Sequence, residues 1–192
     1  MRSEILHEAQ VCDDQGLAHE ALDWLQSVTG DDGGVPLVLP SARRWPHAPW
    51  WSPEDQPPGS LLMTAGIAAA ALRLGLDHPW VGAATAYCWR HIEDARGADP
   101  YTLRSTVDLL DAVGDPDRAT PVLDELRARL PAGGALQVGA GAEGETLRPL
   151  DLAPRPGHLA PSLFADAVID TELQALEARR ARLMTADRRS PG

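Results

Sequence analysis

Apolar residues recur along most of the chain at the three-to-four spacing of a helix face, and there is no convincing set of alternating strands. Leu17, Ala21, Leu25 and Val28 share one face, with Leu22 and Trp24 beside them, so the pattern predicts helix over 5–28, broken near 13–16. The run "TGDDGG" (29–34) ends it, because glycine supplies a left-handed helix end. A second helix is predicted over 60–74, where alanines make a face that another helix can approach closely. A start signal then recurs. "DHPW", "DPY" and "DPDR" each place an acidic cap beside a first-turn proline, which predicts helices over 80–95, 100–113 and 116–130. Gly97 and Gly114 fall between them. A last helix is predicted over 161–182. Short links between helices of similar length make antiparallel αα-hairpins.

Two segments break the helical pattern. Residues 33–60 open with "GGVPLVLPSARRWPHAPWW", which holds four prolines and three of the six tryptophans. Internal prolines rule out a helix there, and tryptophans with large apolar areas argue against disorder. Residues 131–161 are the second irregular stretch, rich in glycine and proline. The expectation is one all-α domain over 1–184 with a disordered tail at 185–192. Long loops inside compact domains are usually functional or disordered.

Charge and composition remove several function classes. The formal net charge is −11 over 192 residues, which suits neither nucleic acid nor an anionic membrane surface. All seventeen basic residues are arginine. A lysine-bound pyridoxal phosphate and a P-loop lysine are therefore excluded. Cys12 and Cys88 read as free thiols of a cytoplasmic protein more readily than as a disulfide. The charged N-terminus does not read as a signal peptide, and "LLMTAGIAAAAL" (61–72) is too short and alanine-rich to span a bilayer. "GAGAEG" (139–144) has the spacing of a dinucleotide loop, but the helix that must follow is replaced by "ETLRPLDLAPRP". The histidines and cysteines lack metal-ligand spacing, so neither a metal nor a cofactor is expected.

The remaining candidates carry polar groups on constrained backbone. His47 sits among Trp45, Trp50 and Trp51, where an imidazole works as an acid or base near neutral pH; the alternative is a ring that bonds loop carbonyls and only fixes the loop. Tyr101, Arg104 and Asp108 lie on one side of a helix, either lining a pocket or forming an exposed Arg–Asp pair. Asp151, Arg155 and His158 lie on the proline-rich loop "PLDLAPRPGH", as binding residues or as a salt bridge holding the loop down.

The stretch "ALDWLQSVTGDDGGVP" (21–36) resembles the repeat of terpenoid cyclases and protein prenyltransferase β subunits, where an A-x-x-W-L helix ends in an Asp-Gly-Gly-aromatic turn. The wider stretch 20–165 resembles short actinobacterial proteins of that superfamily. The resemblance implies an α/α toroid, of which this chain would form a part that a homodimer could complete. It also implies specialised metabolism. Val35 stands where the repeat aromatic would be, and the D-x-D-D and D-D-x-x-D motifs and the zinc triad are absent, so no catalytic residue carries over. Two functions are expected. In the first, an enzyme binds a small apolar, isoprenoid-like molecule, with Trp50, Trp51 and Tyr101 as walls, Arg104, Arg155 and His158 as further contacts, and His47 or Asp151 moving the proton. In the second, a non-catalytic module docks a partner through its tryptophan loop.

Overall fold

The structure is a computed structural model that describes residues 15–49, 51–139 and 142–187. The predicted helical residues before 15, Cys12, Trp50, part of "GAGAEG" and the last five residues of the predicted tail lie outside the described residues. The fold is all-α. Helix α1 spans Gln15–Val28, α2 Leu61–Arg73, α3 Pro79–His91, α4 Pro100–Ala112, α5 Pro116–Arg127, α6 Pro149–Leu152 and α7 Asp166–Asp187. No described helix is long and apolar enough to cross a membrane. The chain divides into two compact units with the boundary between Ala98 and Asp99.

In the first unit, α2 and α3 pack against each other across a short link, and α1 packs on α3. Ser60 caps α2 by accepting the Met63 N–H. Ala65, Ala68 and Ala69 are fully buried, which is the close approach their small side chains allow. From α3, Trp80, Ala84, Tyr87 and Cys88 are buried. The Trp80 indole N–H donates to the Thr29 hydroxyl at 2.9 Å, so the largest core ring keeps its polar atom satisfied. Burial pushes the Cys88 thiol up to about 12, leaving little thiolate at neutral pH.

In the second unit, α4 packs on α5 and α6, and the 3-10 turn Ala160–Leu163 packs on α4 and α5. Asp99 caps α4 through the Tyr101 and Thr102 amides, and Asp115 caps α5 through the Arg118 amide. Leu103, Val107, Leu109, Leu110, Leu123 and Leu126 form its core.

Several expectations need correction. The cap of α3 is His78, whose ring nitrogen accepts the Trp80 N–H at 3.1 Å, and not Asp77. The left-handed glycine of "TGDDGG" is Gly33, with φ +88, which lies beyond the end of α1 rather than at it. The last helix begins at Asp166, because Pro161 and its neighbours form the 3-10 turn and Phe164 is buried in extended backbone. A two-stranded antiparallel ribbon, β1 (Leu136–Gln137) with β2 (Thr146–Leu147), stands inside the second irregular segment. Nor is 33–60 without structure. Pro36 bridges Gly59, and Pro40–Arg44 form a 3-10 turn with Pro40 in its first positions, where a missing N–H costs little.

Candidate functional site

The first-unit loop is closed at its base by one carboxylate. Asp32 Oδ1 accepts the Gly34 N–H and Oδ2 accepts the Gly59 N–H, both at 2.9 Å. Its two oxygens thus tie the start of the loop to its end. The Thr64 hydroxyl accepts the Val35 N–H at 2.8 Å, and Arg90 donates to the Asp32 carbonyl at 2.9 Å. The two glycines are there because the strands touch: a Cβ on Gly34 would lie 2.5 Å from Tyr87 Cζ and 2.7 Å from Gly59 Cα. Desolvation raises the Asp32 pKa, but the amides of Gly34 and Gly59, with the charge of His91, outweigh it and hold the carboxyl below its usual range.

Further out, Arg43 spans the loop. Its Nε and one terminal nitrogen donate to the Pro53 carbonyl at 3.0 and 2.6 Å, and it pairs with Asp55. What this scaffold carries is exposed. Trp45 is 70% exposed and Trp51 47%. His47 is exposed as well, with Nδ1 2.8 Å from the Trp45 carbonyl, a bond that orients the ring within its own loop. A cleft of about 610 Å³ opens beside the loop, lined in part by Thr29, Asp31, Asp32, Leu39, Pro40 and Asp55; neither Trp45 nor Trp51 lines it.

The other sequence-predicted residues lie in the second unit, at separate places. Tyr101, at the start of α4, donates its hydroxyl to Glu145, which also accepts the Ala142 N–H at 2.8 Å. The hydrogen bond to Glu145 raises the Tyr101 pKa, and the same bond lowers that of Glu145. Arg104 is exposed on α4. Asp151 accepts the Arg148 N–H at 2.7 Å across the start of α6, as a first-turn acid does.

Arg155 and His158 do come together, on a residue that the sequence reading missed. Asp111, near the end of α4, has a side chain only 2% exposed. Its Oδ1 accepts the Leu159 and Ala160 amides at 2.8 and 3.1 Å. His158 Nδ1 lies 3.0 Å from Oδ2, a close contact without the alignment of a hydrogen bond. Arg155 reaches Asp108 at 3.2 Å and Asp111 at 3.9 Å. The cluster anchors the proline-rich loop to α4 and leaves the 45%-exposed His158 ring beside a buried carboxylate. Chemically it places a part-exposed imidazole against a buried carboxylate.

Among the described residues, no group of three or more His, Cys, Asp or Glu side chains could hold a metal ion. Comparison with protein families, with curated proteins and with solved structures finds no match for this chain.

Proposed function

We propose that this protein is a helical docking module that binds a partner protein through its tryptophan-bearing loop. One observation carries the reading: Trp45 and Trp51 are exposed on a loop whose backbone is held by Asp32, Thr64 and Arg43. Exposed aromatic rings on ordered backbone cost little entropy to bury, and Trp and Arg dominate interface energetics. The tryptophan-bearing part of the loop is its basic part, while Glu54 and Asp55 follow it and Asp55 pairs with Arg43. From Gly33 to Pro53 there are two arginines and a histidine and no carboxylate, in a protein of net charge −11. The partner it fits presents acidic side chains around an apolar pocket.

Selection of peptides from a displayed random library tests this. Wild-type protein should enrich acidic peptides with an aromatic or aliphatic anchor. The Trp45→Ala/Trp51→Ala variant should bind them at least about tenfold more weakly, since each lost anchor ring removes on the order of 1–2 kcal/mol. Its thermal midpoint should stay near that of wild type, because exposed rings contribute little to folding. Enriched peptides that bind both proteins equally would sink the reading.

A second reading keeps acid–base chemistry on an apolar, isoprenoid-like molecule, with His158 as the proton-handling group. The observation favouring it is the buried Asp111 carboxylate against that ring. Titration with farnesyl diphosphate, followed by tryptophan fluorescence, separates the two. Saturable binding that His158→Gln weakens would favour the enzyme; no binding would leave docking alone.

A further inference from the structure

The second unit holds a pocket of about 420 Å³, lined by Arg127, Leu130, Pro131, Leu163, Phe164 and Val168 among others. It is built where the end of α5, the chain just after it, the 3-10 turn Ala160–Leu163 and the start of α7 meet. Its walls are fixed by contacts made elsewhere. Asp111 holds the Leu159 and Ala160 amides, which sets the turn that supplies Leu163. Phe164 packs tightly on Gly134: a Cβ there would lie 2.6 Å from the Phe164 ring, and the glycine's φ of +69 suits no larger residue. Leu163 and Phe164 are themselves buried. A concave apolar site of this size with few polar groups is the usual form of a small-molecule pocket.

The charged group says what the pocket takes. Arg43, Arg148 and Arg155 each pair with a carboxylate. Arg127 instead donates one terminal nitrogen to the Ser162 carbonyl at 3.2 Å. That neutral acceptor orients the guanidinium and leaves its charge uncompensated, with Nε and the other terminal nitrogen as donors. Among the described residues no carboxylate pairs with Arg127 or lines the pocket. Asp166, next to the lining residue Ala165, is exposed and is not part of the wall. The end of α5 and the start of α7 bring opposite dipole ends to the rim, and these offset one another. A planar guanidinium matches a carboxylate in shape and charge, and the apolar walls suit a hydrocarbon body. A phosphate or diphosphate would carry more charge than one arginine neutralises. We propose that this pocket binds a small apolar monocarboxylate, its head on Arg127 and its tail against Leu130, Leu163, Phe164 and Val168. The pocket is built from the second unit alone, and the inference does not rest on the docking reading.

Octanoate is the probe. Calorimetric titration of the full chain, below the micellar range, should show saturable one-to-one binding. Octanol, with the same tail and no charge, should bind at least about tenfold more weakly. Arg127→Gln should weaken octanoate by about tenfold. Its thermal midpoint should stay near that of wild type, since an exposed side chain loses one bond to a carbonyl. Ala132→Phe tests the location independently. It fills the pocket from an exposed wall position, leaves Arg127 in place, and should weaken octanoate as well. No saturable octanoate binding, octanol binding as tight as octanoate, or octanoate binding that either variant leaves unchanged would each overturn the proposal.

Discussion

Gly34→Ala should destabilise the first unit by about 3 kcal/mol, near the top of the usual cost of overfilling a packed site. The added methyl would lie 2.5 and 2.6 Å from Tyr87 ring atoms and 2.7 Å from the Gly59 backbone. Tyr87 is almost fully buried, so its ring has no free direction of retreat. Moving Gly59 instead would break its amide bond to Asp32. The expected result is a fall in the chemical-denaturation midpoint, together with faster hydrogen exchange at the Gly34, Val35 and Gly59 amides. Gly82→Ala is the control. It sits within α3 with open space where its methyl would go, and should stabilise by about 0.5–1 kcal/mol through helix propensity. The same clamp sets a pH dependence. The Asp32 pKa is lowered in the folded state, so its contribution is fully present above the unfolded carboxylate value, about 3.9, and is lost as pH falls through the folded value. Wild type should exceed Asp32→Asn in thermal midpoint at neutral pH, and the gap should close in strong acid. A gap that widens in acid would contradict the clamp.

Asp111→Ala should have a comparable effect in the second unit, costing about 2–4 kcal/mol. It strips two backbone amides of their acceptor, each of which costs roughly 1–3 kcal/mol if left buried and unmade. It also leaves His158 and Arg155 without the carboxylate they share. The flanking charges are part-exposed, so screening keeps their share of the loss small. Asp111→Asn retains an acceptor oxygen and should cost about half as much. Asp151→Asn, at a helix start, should cost no more than about 1 kcal/mol. Urea titration of the three variants gives the order directly; equal losses would mean that Asp111 is not the anchor of the loop.

What the sequence discloses follows from the range of the forces involved. Asp99 and Asp115 act on amides two or three residues away, and those helix starts are readable from "DPY" and "DPDR". At "DHPW" two adjacent residues compete for one cap, and the choice falls to His78, whose other ring nitrogen lies 3.1 Å from Asp23 on α1. No local pattern carries that. The β ribbon is two residues on each strand, too short for alternation to register. Asp111 reads as an ordinary polar residue of an amphipathic helix, because the amides it satisfies are 48 and 49 residues later. Asp32 is similar. The Asp-Gly-Gly turn is visible in the sequence, but the closure of a 27-residue span by its second oxygen is not. The tryptophans of the loop suggested burial by their apolar area. Proline and the Asp32 and Arg43 tethers hold the backbone instead, which leaves Trp45 and Trp51 exposed.

The most direct test of the docking account is fluorine NMR of protein carrying 5-fluorotryptophan, titrated with the selected acidic peptide. The account predicts that the Trp45 and Trp51 resonances, assigned by single substitution, shift and saturate together while buried Trp80 stays unmoved. Saturable binding that leaves Trp45 and Trp51 in place would contradict it.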